Sequence, residues 1–249
     1  MTELTKKFDW IIYADATFAG LSVLIPIPLL DVAFEHVFRR RMPGVIGKRN
    51  GRSLPKETIH ELNRLPSGCL QTCLGWPILI LLTFLRRLYR TVLYFLSIKD
   101  ASDNLSLYWH RAFLLDYMIG SGYVDDPRTM PIAAEALRQL LDEITVSPLT
   151  QLAQEVVGSV SHVFASLRRV IRRAEEDEVV TGAKERMATI WSSYDEYFAE
   201  VAAHYEERYS QLLADTAVLE MAETDKVVGD IDLRPNLPDS TETSDASDT

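Results

Sequence analysis

The residues of this chain that could do chemistry are few and widely spaced. Cys69 and Cys73 are four positions apart, so on a helix they would share one face and offer half of a tetrahedral zinc site. No histidine or second cysteine pair stands near them to complete the ligand set. Apolar neighbours raise the pKa of a thiol and make it unreactive. We therefore expect structural or acylated cysteines and no metal.

Acid–base and nucleophilic groups give no better signal. Asp125 and Asp126 form an adjacent carboxylate pair, but their place before Pro127 is typical of a helix cap. The sequence holds no phosphate-binding loop, zinc-hydrolase motif, nucleophile elbow or dinucleotide fingerprint. The five histidines stand singly, out of helical register with one another: His36, His60, His110, His162 and His204. We predict a non-enzymatic protein without a cofactor.

The longest uncharged run covers residues 65–85 and is closed by Arg86, Arg87 and Arg90. About 20 apolar residues in a helix cross the hydrocarbon core of a bilayer. Prolines and glycines interrupt the first third of the run, which leaves a continuous apolar core of 13 residues at 73–85. That length favours a re-entrant or interfacial segment over a span. A helix buried in the core of a soluble bundle is the alternative.

The distribution of basic residues favours one side of a membrane. Residues 1–100 carry 14 Lys and Arg against 8 Asp and Glu, whereas residues 101–249 carry 12 against 28. A hairpin that enters and leaves the same leaflet keeps every arginine cluster on the cytoplasmic face, as the positive-inside tendency requires. Anionic headgroups attract such residues. Nucleic acid is a less favoured partner, because apolar residues surround the arginines and the rest of the chain is acidic.

Arginine and aromatic side chains together favour the depth of a membrane interface. A solvated helix face is the alternative for the arginines. The candidates for the interface are Arg39, Arg40, Arg41, Trp76, Arg86, Arg87, Tyr89, Arg90 and Tyr94.

The elements that must position these residues are predicted to be helices throughout the N-terminal half. One helix should cover residues 6–24 and end at Pro26 and Pro28, which together with Asp31 form a structural break. A second should run from residue 29 to 41 or 47, with Pro43 kinking or ending it. Pro55 should open a short third helix.

The C-terminal half predicts two long apolar seams. Helices are expected at 103–119 and after Asp126, and Ser147 should begin a seam at 149–174. A second seam covers 187–219, and the two most simply form an antiparallel hairpin. Acidic residues are unfavourable at the C-terminal end of a helix dipole, so the acidic run at 175–178 disfavours a helix end there. One bent helix through this region is therefore the alternative. From residue 223 onward the composition predicts an acidic disordered tail.

The second seam is rich in aromatic residues, which bury large area and keep a polar group. We predict a partner interface or homo-oligomer contact there, with ordinary intramolecular core as the alternative. Its candidate residues are Trp191, Tyr194, Phe198, Tyr205 and Tyr209.

One stretch resembles a known family. Residues 19–31 read AGLSVLIPIPLLD, and Arg41-Met42 and the Gly51-Arg52-Ser53-Leu54 stretch follow at family-like spacing. The pattern resembles YcjF-like bacterial inner-membrane proteins, with EcsC-like proteins as a looser relative, over about residues 14–55. The resemblance implies a helical, membrane-associated, bacterial protein and lends no catalytic residues.

The sequence thus predicts an all-α protein in three regions: a basic, hydrophobic membrane-associating region at 1–100, an amphipathic helical arm at 101–222, and an acidic tail at 223–249. The expected function is that of an accessory or scaffolding component at the cytoplasmic face of a bacterial inner membrane. A wholly soluble, cytoplasmic interaction domain and an accessory subunit of a transporter or GTPase system are the alternatives.

Overall fold

A computed structural model of the chain describes residues 8–25, 30–64, 90–144, 147–164, 184–185 and 187–231. Every regular element within these ranges is helical, which confirms the predicted all-α class. Two 3-10 turns, Ser22–Leu24 and Trp191–Tyr194, accompany the α-helices. The α-helices of the described ranges are α1 (Trp10–Leu21), α2 (Leu30–Arg49), α3 (Lys56–Leu62), α4 (Arg90–Ser121), α5 (Met130–Glu143), α6 (Leu149–Phe164) and α7 (Asp195–Ile231).

The first two helices begin with acidic residues that suit the positive end of a helix dipole. Oδ1 of Asp9 accepts a hydrogen bond from the Ile11 amide at 3.0 Å and caps α1. Asp31 lies in the first turn of α2, where its Oδ1 accepts from the Val32 amide at 2.8 Å. The two helices are separate, as expected, and Pro26 and Pro28 lie between them, outside the described residues.

The sequence predicted that Pro43 would kink or end the second helix. In the structure Pro43 does not end α2. The helix continues through it to Arg49. A proline removes one helical hydrogen bond and strains the preceding turn. Here Pro43 is buried and its neighbours Met42 and Ile46 are both fully buried. Burial of this face offsets the local cost, so tertiary packing decides the length of the helix.

The core of the first compact unit is built around α4. Helix α1 packs against α4 and α2, and α6 packs against α4. Gly20 of α1 allows the closest approach, because a Cβ built there would lie 2.5 Å from Cα of Leu105. Beside it, Trp109 is fully buried and its Nε1 donates to Oγ1 of Thr17 at 3.0 Å.

The chain forms two compact units, Met1–Tyr209 and Ser210–Thr249. The first unit takes in residues from both the region predicted at 1–100 and the arm predicted at 101–222. The predicted boundary at residue 100 falls inside α4, and α1 packs against that helix. The described part of the second unit is the continuation of α7 to Ile231, which includes the first residues of the predicted tail. Residues 232–249 lie outside the described residues.

The turns of the C-terminal half follow the expected signals with one correction. Gly122 has φ +88° and follows the last residue of α4, as predicted. Oγ of Ser147 accepts from the Leu149 amide at 3.0 Å at the start of α6. Asp126 does not cap α5, because its Oδ1 accepts from the Arg128 amide and the capping position is Thr129.

The described start of the first seam is buried, including Leu149, Leu152 and Val156. Residues 175–182, where the two seams should join, lie outside the described residues. The antiparallel hairpin therefore stays a prediction.

Candidate functional site

The outward side of α2 carries apolar and basic residues together. Val32 and Val37 are 60% and 56% exposed, although valine is usually buried. Ala33, His36, Arg40 and Arg41 are exposed on the same helix. These positions form the adjacent pairs 32/33, 36/37 and 40/41, which recur every four residues and therefore lie along one side of the helix. We call this set, from Val32 to Arg41, the α2 face.

Arg41 connects the α2 face to the buried core of the unit. Its Nε and Nη2 lie 3.0 and 2.6 Å from the two carboxylate oxygens of Asp15, on α1. The Asp15 side chain is only 3% exposed, while that of Arg41 is 60% exposed. The hydrogen bond to Asp15 raises the pKa of the Arg41 guanidinium. Arg41 therefore balances a buried charge and still presents surface to solvent.

The three arginines of the predicted basic block differ in environment. Arg40 is exposed, and Arg41 is paired with Asp15. Arg39 is half-buried and lies close enough to Tyr108 and Arg111 of α4 to affect the pKa of both. Sequence alone treats the three as one cluster, whereas in the helix Arg39 lies toward α4 and only Arg40 and Arg41 lie on the α2 face.

The remaining membrane-interface candidates lie in segments whose side chains are outside the described part of the chain. Trp76, Arg86, Arg87 and Tyr89 lie outside the described residues, and the side chains of Arg90 and Tyr94 at the start of α4 are likewise not described. Within the described ranges, the structure contains no helix that combines the length and the apolar character needed to cross a membrane.

Three of the five partner-interface candidates are buried within the chain. Trp191 and Phe198 are 4% exposed and Tyr205 is fully buried. The Trp191 ring lies 4.3 Å from that of Tyr13, centroid to centroid, and the Tyr205 hydroxyl donates to the Ala133 carbonyl at 3.3 Å. These residues form intramolecular core, the alternative to an interface.

The other two candidates, Tyr194 and Tyr209, are half-buried. Their pairing is also within the chain: the Tyr209 ring packs on Tyr123 at 4.9 Å, and the Tyr194 hydroxyl reaches the Pro148 carbonyl at 3.5 Å. Both keep some surface, and the partner interface stays a prediction.

A buried cluster that sequence reasoning missed joins His110, Ser147 and Tyr197. Nε2 of His110 lies 2.7 Å from the Tyr197 hydroxyl and 3.1 Å from Oγ of Ser147. His110 comes 37 residues before Ser147 and 87 before Tyr197, so no local pattern connects them. Ser147 was visible in the sequence only as a helix start.

The protonation of this cluster follows from its hydrogen bonds. Nδ1 of His110 lies 2.7 Å from the Ser106 carbonyl, which can only accept, so Nδ1 carries the proton and Nε2 accepts. Burial lowers the pKa of His110 to about 4, partly opposed by that carbonyl bond. The imidazole is therefore neutral at physiological pH.

A serine beside a histidine invites comparison with a nucleophile and its base. The catalytic arrangement orients the imidazole with a buried carboxylate, whereas here a backbone carbonyl takes that place. Ser147 is only 8% exposed, and its Oγ already accepts from the Leu149 amide. These hydrogen bonds connect Ser147, before α6, to His110 of α4 and Tyr197 of α7.

A surface cavity of about 330 Å³ lies beside this cluster and shares Tyr197 with it. Its other lining residues are Leu140, Glu143, Ile144, Glu200, Val201 and His204. Across the described ranges, no group of three or more His, Cys, Asp or Glu side chains is arranged to hold a metal ion. The described lining of the cavity is acidic and apolar.

Comparison of the chain with known protein families, with curated proteins and with solved structures finds no match. The resemblance to YcjF-like and EcsC-like domains stays a prediction.

Proposed function

We propose that this protein is a non-enzymatic, membrane-associated helical protein that docks on anionic lipid through the α2 face. The observation that carries the proposal is the exposure of Val32 and Val37 beside Arg40 and Arg41. An accessory or scaffolding role at the cytoplasmic face of a bacterial inner membrane is the setting that fits this surface and the basic N-terminal region.

The expected contribution of the α2 face is modest. Burying an exposed valine is worth about 1.5 kcal/mol, and each arginine near an anionic surface adds about 1 kcal/mol. Because the charge of Arg41 is balanced by Asp15, two valines and Arg40 give weak, reversible attachment. The uncharged run at 65–85 is the further apolar contribution that would make attachment stable.

Sedimentation with vesicles tests the proposal. The full chain should sediment with phosphatidylglycerol vesicles, and the double variant Val32→Ser, Val37→Ser should bind about a hundredfold more weakly. The matched control is Val218→Ser with Leu219→Ser, which removes equally exposed apolar residues from α7. No sedimentation of the parent, or equal loss in both double variants, would contradict docking through α2.

A separate measurement tests how much positive charge contributes to vesicle binding. Arg40→Glu should weaken vesicle binding, and raised salt should act in the same direction because it screens exposed charges. Arg40 is the residue to change, since it is exposed while Arg41 also balances buried Asp15. Vesicle binding that does not depend on salt would show that the arginines do not contribute to attachment and that the valines alone do.

One observation favours the soluble interaction domain as the second candidate. Val218, Leu219 and Met221 of the second unit are 59%, 70% and 63% exposed. Residues 210–249 carry 10 Asp and Glu against 2 Lys and Arg, which repels anionic lipid. Fractionation of the untagged protein into membrane and soluble pools separates the two candidates.

A further inference from the structure

The surface cavity between α5 and α7 has a lining that favours one kind of ligand. Its volume of about 330 Å³ falls at the lower end of the sizes of small-molecule sites. On the α7 side four lining residues stand at positions i, i+3, i+4 and i+7 and therefore share one face of the helix: Tyr197, Glu200, Val201 and His204. We call this site the α5–α7 cavity.

Helix α5 ends at the α5–α7 cavity. Leu140 and Glu143 of its last turn, and Ile144 directly after it, line the side opposite α7. The last carbonyl groups of an α-helix lack partners within the helix, and this end of the helix dipole carries a partial negative charge. The end of α5 therefore attracts positive charge to the cavity.

The two glutamates that line the cavity differ in their pairing. Oε1 of Glu143 lies 2.6 Å from Nη2 of Arg208, which balances its charge. Glu200 is exposed and forms no ion pair with any residue that the structure describes, including His204 one turn later. Glu200 therefore supplies a negative charge that a ligand can reach from solvent.

The rest of the lining supplies apolar and aromatic surface. Leu140 and Val201 are only 5% and 4% exposed. The Tyr197 hydroxyl is engaged by residues that do not line the cavity, at 2.7 Å from Nε2 of His110 and 3.2 Å from Oγ of Ser147. Tyr197 therefore offers a ligand its aromatic ring, whose face attracts cations.

We propose that the α5–α7 cavity binds a small organic amine, with its ammonium group on Glu200 and its apolar body against Leu140 and Val201. An ammonium group only donates hydrogen bonds, which suits a carboxylate and the end of a helix. An apolar wall suits the carbon chain of an amine better than a hydrated metal ion, and no described group of three or more His, Cys, Asp or Glu side chains is arranged to hold a metal. The site uses no residue of the α2 face, so it does not rest on docking to lipid.

Titration of the full chain with butylammonium chloride, followed by saturation-transfer NMR at constant ionic strength, tests the site. The parent should bind butylammonium at least about tenfold more tightly than butyrate or 1-butanol, which have the same carbon chain without the positive charge. Methylammonium should bind about tenfold more weakly than butylammonium, because it lacks the methylene groups that the apolar wall removes from water.

Glu200→Gln should weaken butylammonium binding about tenfold, the loss expected for one charge-assisted hydrogen bond. The matched control is Glu155→Gln, which should bind as the parent does, since Glu155 is exposed on α6 and does not line the cavity. Because both side chains are exposed, both variants should keep the melting temperature of the parent.

A parent that binds no butylammonium overturns the site, as does equal binding by the parent and Glu200→Gln. Binding of 1-butanol as tight as that of butylammonium also overturns it, because the cavity would then select apolar character and not charge. Equal binding of methylammonium and butylammonium overturns it as well, because the apolar wall would then take no part. Glu200→Gln should leave vesicle sedimentation unchanged, so failure of this site and failure of lipid docking appear in different measurements.

Discussion

The two parts of α7 follow the same amphipathic pattern but have opposite environments. Within the first unit, Val201 is 4% exposed and Tyr205 is fully buried. Within the second unit, Val218 and Leu219 are 59% and 70% exposed. A helical apolar repeat therefore identifies a face that can be buried, and the rest of the chain determines which part of it is buried.

The sequence predicted an interface at the aromatic residues of the second seam, whereas the structure places the most buried of them in the core. The buried part of the seam packs on other aromatic rings: Phe198 lies 4.5 Å from Phe113 of α4, and Tyr205 lies 5.4 Å from Tyr123. The exposed part is aliphatic and lies in the acidic second unit. Within this seam aromatic density indicates core, and the exposed apolar residues of α7 lie farther along the helix.

The largest loss of stability among the substitutions that test this difference between the two parts of α7 is expected at Tyr205. Tyr205→Ser should lower the free energy of unfolding by about 3–5 kcal/mol, because it empties a site filled by a fully buried ring. Tyr205→Phe, which removes only the hydroxyl on the Ala133 carbonyl, should cost about 1 kcal/mol. Chemical denaturation measures both, and a Tyr205→Ser variant with parent-like stability would return this residue to the interface hypothesis.

A smaller change in the free energy of unfolding is expected from protonation of His110, which hydrogen-bonds to Ser147 and Tyr197 beside the buried part of α7. The pKa of His110 is about 4 in the fold, against 6.5 for a free imidazole. The unfolded chain therefore takes up the proton first, and stability is lost as pH falls from 6.5 toward 4. Between pH 6.5 and 5 the loss should be about 2 kcal/mol.

Denaturation curves across that pH range check the prediction, with two variants for comparison. His110→Gln should remove this part of the pH dependence, whereas His60→Gln should keep it, since His60 is exposed. A pH dependence shared equally by both variants would show that carboxylates, and not His110, govern the acid side.

The smallest effect is expected in the exposed part of α7. Leu219→Ser should change the free energy of unfolding by no more than about 0.5 kcal/mol, as exposed substitutions usually do. Chemical denaturation of the purified protein measures it beside Tyr205→Ser. A loss above about 2 kcal/mol would mean that Leu219 is buried in solution, most simply against another chain.

The helix signals that sequence read correctly are local ones. The α4 terminator at Gly122 and the start of α6 at Ser147 depend on backbone geometry and a single hydrogen bond. The signals that failed met a competing interaction, which is distant for Pro43 and local for Asp126. Pro43 stays helical because Met42 and Ile46 beside it are buried in the core, and Asp126 binds the turn before α5 instead of capping the helix.

The candidate sites show the same division. The basic block at 39–41 was visible as charge beside apolar sequence, but Arg41 is committed to Asp15, 26 residues away. The serine, histidine and tyrosine cluster was not predicted, since its members come from three distant segments and none has a local motif.

The sequence by itself determined that this chain is helical and where several helices begin and end, because those features depend on hydrogen bonds and dihedral preferences within a few residues. Only the tertiary structure decided that Tyr205 is core while Leu219 is exposed, and that Arg41 pairs with buried Asp15. Burial and charge pairing depend on which distant segments meet. An apolar repeat or a run of arginines carries no record of its eventual neighbours.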